Sequence, residues 1–148
     1  MLRGSVDLIE HRADFDLLRV TDHKTGKNRS NPDLVVGGGQ MLQPVLYSLA
    51  VEQGLGKKVF EGRLFFATTA GGFTPVPIPI NDYTRGQGLQ VLEIIDRAVE
   101  AGFLPAAPKE RACTWCDFRP VCGPREEERV RHKKPELIAD LAALRSMR

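Results

Sequence analysis

The chain has 148 residues, 42% hydrophobic and 27% charged, and its 21 basic and 19 acidic side chains leave a formal net charge of +2. Such a length supports one domain with its own core, and such a balance is ordinary for a globular protein in water. No run approaches the ~20 apolar residues of a bilayer span, so no membrane partner is predicted, and a charge this small does not by itself announce nucleic acid.

In chain order, residues 2–11 and 17–24 are predicted strands, and Ala13-Asp14-Phe15-Asp16 between them has the composition of a reversal. A turn centred on Asp14 and Phe15 sets Asp7 opposite Asp22, and opposed side chains stand roughly 4.5–5.5 Å apart at Cβ. Asp22 and Lys24, two apart, share one face of their strand, while His23 alternates to the other. Two carboxylates this close repel unless a cation or a shared proton lies between them, and a divalent metal is the simpler answer. Residues 27–36, with Asn28, Ser30, Asn31 and Pro32, read as a loop.

Gly37-Gly38-Gly39 leads into a predicted helix over 40–53, where Leu42, Val45, Leu46, Leu49 and Ala50 form one apolar stripe and Gly54 follows the end. Gln43 and Tyr47 are neighbours on its flank. Residues 59–69 alternate as a half-buried strand, with Phe60, Leu64 and Phe66 on one face and Glu61 and Arg63 on the other. Beyond Gly71-Gly72, Pro75, Pro77 and Pro79 occupy every second position, and proline cannot donate to a ladder, so 73–80 is predicted as an edge strand. Asn81 or Asp82 caps a second helix that turns Leu89, Leu92, Ile95 and Val99 inward and stops at Gly102. A connector over 103–111 reaches the cysteines. Residues 126–134 form a solvated mixed-charge stretch, and Leu137, Leu141 and Leu144 make another apolar stripe. His11 and His132 stand in no motif and read as solvated.

Cys113, Cys116 and Cys122 crowd into ten residues. Three cannot all pair in intramolecular disulfides, so metal or cluster ligation fits better, with Trp115, Phe118 and Pro120 available to shield it. Together, Gly4-Ser5-Val6-Asp7, Asp22-His23-Lys24-Thr25-Gly26, Gln43-Pro44-Val45-Leu46-Tyr47 and the three cysteines resemble, in that order, the PD-(D/E)XK nuclease superfamily. The likeness is strongest to its RecB-like and AddB-type branch, which carries an iron-sulfur cluster.

This resemblance runs from about residue 2 to residue 123 and predicts a nuclease core over 1–123, including the cysteine segment 113–122, with 124–148 as a charged helical tail. It implies an α/β fold with a restriction-endonuclease-like mixed central sheet flanked by helices. Asp7, Asp22 and the backbone carbonyl of His23 would then ligate Mg²⁺ or Mn²⁺. Lys24 would orient the water or neutralise the transition state, and Gln43 and Tyr47 would position the strand or the water. The cysteines would hold a 4Fe-4S cluster whose fourth cysteine lies upstream in that branch and is absent from this chain. Zinc, with a further ligand such as His132, is one alternative, and a buried or reactive thiol group without metal is the other.

The branch's upstream histidine ligand also lacks a counterpart, since six residues precede Asp7. The expectation is the carboxyl portion of a longer domain. Residues Leu2-Arg3-Gly4 after Met1 lack a secretory leader, which predicts the cytoplasm. The implied function is metal-dependent DNA cleavage, exonucleolytic, in recombination or repair, beside a helicase subunit or fused helicase region. Two alternatives remain: an inactive DNA-binding or scaffold module of the same fold, and a zinc-binding nucleic-acid module.

Overall fold

A hairpin opens the chain. β1 (Leu8–Arg12) and β2 (Leu17–Lys24) pair antiparallel, with Leu8 opposite Thr21 and Arg12 opposite Leu17, the register that a turn centred on Asp14 and Phe15 requires. Asp16 closes this turn in the left-handed region at φ 50°, which a short polar side chain tolerates. Its carboxylate meets His11 Nε2 at 2.8 Å and the Lys57 ammonium. The first strand is shorter than predicted: it begins at Leu8, so Asp7 precedes it. The computed structural model describes residues 3–30 and 33–148, so the expectations on residue 2 and on Asn31 and Pro32 lie outside the described residues.

α1 (Gln43–Leu55) crosses from β2 to β3 (Val59–Phe66), which runs parallel to β2, and β4 (Thr74–Pro79) returns antiparallel to β3. The sheet order is β1-β2-β3-β4. The result is the expected α/β architecture, a mixed sheet flanked by helices. Pro75, Pro77 and Pro79 sit on the edge strand, as predicted, and their missing N–H groups blunt it against a further strand.

α1 lies on β2 and β3, over a face that buries Leu18, Val20, Leu64, Phe66 and Ile78. Phe60 departs from the expected alternation. A register shift between Leu18 and Arg19 makes Val59 the buried residue, and Phe60 instead carries the Arg19 guanidinium 5.2 Å above its ring.

The helix begins at Gln43 rather than Gln40, because Gly37, Gly38 and Gly39 all take positive φ in a 3-10 turn and Pro44 suits a first helical turn. It runs past Gly54 to Gly56, whose N–H caps Glu52 O at 3.0 Å. α2 (Asp82–Glu100) is capped by Asn81, whose Oδ1 accepts from Thr84 N at 3.0 Å while Thr84 Oγ1 accepts from Asn81 N at 2.8 Å.

Its buried stripe is Thr84, Gly88, Val91 and Ile94; Leu89 and Val99, expected inward, are 55% and 65% exposed. Both stripes have helical spacing. Gly88 decides between them: a Cβ there would lie 2.7 Å from Val45 Cγ1 and 2.8 Å from Leu49 Cδ1, so α2 presents its bare position to α1.

The chain clusters into two compact units, Met1–Leu92 with Arg145–Arg148, and Glu93–Leu144. The second unit holds the end of α2, short helices α3 (Arg119–Cys122) and α4 (Glu126–Arg129), and most of α5 (Ala139–Ser146). Arg97 and Asp140 pair at 2.9 Å, and Lys133 meets Glu126 at 2.8 Å. Leu137, Leu141 and Leu144, the last predicted stripe, line an apolar cavity of about 490 Å³ with Ile94, Ala98 and Phe103. No helix among the described residues is long and apolar enough to cross a membrane.

Candidate active site

The carboxyl end of β2 presents Asp22 on the face that α1 covers, where the residue is only 5% exposed. Burying a carboxylate is costly unless a cation accompanies it. Lys24, two positions on, supplies one: its Nζ stands 2.6 Å from Asp22 Oδ2. No hydrogen bond of normal geometry reaches that oxygen among the described residues, so the buried acid keeps capacity for a further positive partner.

The same ammonium donates to Gln43 Oε1 in the first turn of α1. Gln43 Nε2 in turn donates to Tyr47 Oη at 3.5 Å, one helical turn along. Asp22, Lys24, Gln43 and Tyr47 thus form one continuous polar row.

Asp7, which immediately precedes β1, brings a second acid to this end of the hairpin: its Oδ2 accepts the backbone N–H of His23 at 2.7 Å. Its side chain remains 43% exposed, in contrast to that of Asp22. The imidazole of His23 takes the other face, edge-on to Phe65 at 5.8 Å, with Nδ1 3.7 Å from Asp7 Oδ2.

Two glycines shape the row. A Cβ on Gly62 of β3 would lie 2.6 Å from Pro44 O, so the first turn of α1 can rest on β3 only where no side chain stands. A Cβ on Gly4 would lie 3.1 Å from Tyr47 Cε1. Neither contact was legible beforehand; Gly4 stood in a motif without a task.

Also missed was a cluster on the reverse face, where Glu10 Oε2 accepts from Thr21 Oγ1 at 3.1 Å and from Arg63 Nη2 at 2.7 Å, and Arg19 Nε meets Glu61 Oε1 at 2.6 Å. Its signal was present, since Glu10, Arg19, Thr21, Glu61 and Arg63 are the polar members of the alternating strands.

In the second unit Cys113, Cys116 and Cys122 are all free thiols and line one cavity of about 310 Å³. Burial, and then the Glu127 carboxylate beside it, push the Cys113 thiol above its ordinary range. Glu127 itself is held low by accepting the backbone N–H groups of Cys113 and Arg111, both at 3.0 Å.

No three His, Cys, Asp or Glu side chains among the described residues gather as a metal-holding group, so the thiols share a cavity without forming a ligand cage. Trp115 and Phe118, expected to shield them, are 90% and 71% exposed. Their side chains face solvent because the short turns around them bury no large apolar residue. His11 and His132 are exposed, and His11 meets Asp16.

Compared with known families, residues 1–123 match the PD-(D/E)XK nuclease superfamily. The chain belongs to this superfamily. No curated protein and no solved structure matches it. PD-(D/E)XK nucleases are usually metal-dependent and use divalent ions such as Mg²⁺. Asp22 at the end of β2 offers such an ion one hard oxygen that is buried and short of hydrogen bonds, the kind of donor that Mg²⁺ and Mn²⁺ prefer, while no group of three His, Cys, Asp or Glu among the described residues gathers around it.

Proposed function

We propose that this PD-(D/E)XK chain is a Mg²⁺- or Mn²⁺-dependent deoxyribonuclease, exonucleolytic and acting in DNA recombination or repair in the cytoplasm. Its nuclease core is 1–123, with 124–148 a charged tail. A helicase subunit or fused helicase region is its partner in this reading, as in the RecB-like and AddB-type branch. The observation that carries the proposal is the pairing of buried Asp22 with Lys24 at 2.6 Å, on a strand whose next residue is bound by the second acid, Asp7.

Asp7, Asp22 and the His23 carbonyl are the proposed metal ligands. The bound ion would withdraw charge from the scissile phosphate and acidify a water for attack. Every other task falls to the chain itself. Lys24 faces the charge that develops on the phosphate, where a fixed cation is worth several kcal/mol in a water-poor site. Gln43 shares the ammonium with Asp22 and so keeps it from collapsing wholly onto the acid. Tyr47 holds Gln43.

The test is digestion of linear duplex DNA with Mn²⁺ by the wild-type chain, Asp22→Ala and Lys24→Ala. Cleavage by the wild type, lost in both folded variants, is the expected result. Binding of DNA by all three without cleavage would instead favour the inactive scaffold.

The 4Fe-4S cluster is a separate part of the proposal, supported by three thiols around one cavity. Expressed together with a segment that supplies the fourth cysteine and purified without oxygen, the protein should be brown and carry ~4 iron atoms per chain. A colourless protein containing zinc would favour the zinc-binding nucleic-acid module.

A further inference from the structure

We infer that Gly4 is a positioning residue: by lacking a side chain it seats the Tyr47 ring, and through Tyr47 and Gln43 it fixes the Lys24 ammonium beside Asp22. A Cβ at Gly4 would lie 3.1 Å from Tyr47 Cε1, 3.4 Å from Oη and 3.6 Å from Cζ, so it would press on the hydroxyl end of the ring. Gly4 is not among the glycines with positive φ, so its backbone accepts alanine without strain. What calls for glycine there is the close approach alone.

The consequence follows from the chemistry of an amide. Gln43 has one donor end and one acceptor end. While Tyr47 Oη accepts from Nε2, the carbonyl end is committed to Lys24 Nζ. At 3.5 Å the Gln43–Tyr47 contact already sits at the limit of a hydrogen bond, and a displacement of a few tenths of an ångström releases it. A released amide keeps its carbonyl on the ammonium, the stronger charge-assisted contact, but no longer has the tyrosine to fix its rotamer. Lys24 is then held by an acceptor that can shift, and its place beside Asp22 loosens. Gly4 acts on the chemistry only through this relay, since its own atoms stop at the tyrosine ring.

The roles of Lys24 and Asp22 rest on the nuclease reading above, so the experiment has one arm that depends on cleavage and one that does not. In the first, Gly4→Ala, Tyr47→Phe and the double variant digest linear duplex DNA with Mn²⁺. Each single change should lower kcat about tenfold, less than the roughly 100-fold that a full 1 Å misplacement can cost. KM for DNA should hold, and the melting temperature should stay within about 2 °C. The double variant should be no slower than Tyr47→Phe. Losses that multiply in the double variant, or a Gly4→Ala protein with wild-type kcat, overturn the inference.

In the second arm the side-chain amide resonances of Gln43 are followed by NMR. They should move in Gly4→Ala in the same direction as in Tyr47→Phe. Resonances left unmoved by Gly4→Ala overturn the inference even if the wild-type chain cuts no DNA, an outcome that would end the nuclease proposal alone.

Discussion

Asp22 and Lys24 depend on each other unequally. The carboxylate is almost wholly buried, while the lysine side chain is 30% exposed. Removing the cation leaves a charge in a poor medium; removing the acid leaves an ammonium that can still reach water and Gln43. An orphaned buried polar or charged group costs about 1–3 kcal/mol or more. Lys24→Met is therefore expected to lower unfolding free energy by about that amount, and Asp22→Asn, which removes the charge and keeps the shape, by much less. Urea titration of both variants measures the difference. Equal losses would mean that the pair is held by packing rather than by charge. Because both variants should lose cleavage, the stability ranking separates the electrostatic argument from the catalytic one.

At the scale of elements, the site exists because α1 sits low on the sheet. Gly62 permits this. Alanine there would place its Cβ 2.6 Å from Pro44 O, a backbone atom that cannot rotate away, and forced overpacking costs about 1–3 kcal/mol. Gly88→Ala meets only the side-chain ends of Val45 and Leu49, at 2.7 and 2.8 Å, and gains about 0.5–1 kcal/mol of helix propensity. Gly62→Ala should consequently be the more destabilising of the two by denaturant unfolding, and a reversed order would refute the docking argument.

These glycines also mark where sequence reading stops. The hairpin register was legible because the turn composition fixed its centre, and the edge strand because proline has no donor. Lys24 and Gln43 were legible as candidates from their spacing. What joins Gly4 to Tyr47, Gly62 to Pro44 or Gly88 to Val45 is the absence of atoms, which carries no pattern along a chain. The same limit explains the buried stripe of α2: Leu89, Leu92, Ile95 and Val99 have helical spacing, and only the partner surface selects Thr84, Gly88 and Val91 instead. At Phe60 the alternation failed because a register shift has no compositional signal.

Across the whole molecule, carboxylates in both units are held below their ordinary range by specific partners: Asp16 by Lys57 and His11, Glu52 by Arg85, Glu126 by Lys133, Glu127 by backbone N–H groups, and Asp140 by Arg97. Each stabilises the fold where it is ionised, above the unfolded value, and the contribution disappears as pH falls through the lowered folded value. Acid should therefore weaken the protein. Large shares are expected from Glu52 and from Glu126, which is buried beside Lys133, because Asp16 and Asp140 are exposed and exposed pairs contribute little. Glu52 ties three elements together: from α1 it accepts from Arg85 Nε at 3.0 Å and Nη2 at 2.7 Å on α2, and from the N–H of Val59 at the start of β3 at 2.8 Å. Its unfolded value is 4.5, so its stabilisation is complete at neutral pH and fades from about 4.5 downward. Glu52→Gln keeps the shape and one of the two acceptor oxygens but removes the charge. The variant should melt below the wild type at about pH 7, and the two melting curves should converge as pH falls through the lowered folded value, where the wild-type carboxylate is itself protonated. Melting temperatures that stay parallel across this range would show that the Arg85 contact acts through geometry alone, and that the acid sensitivity of the fold lies elsewhere.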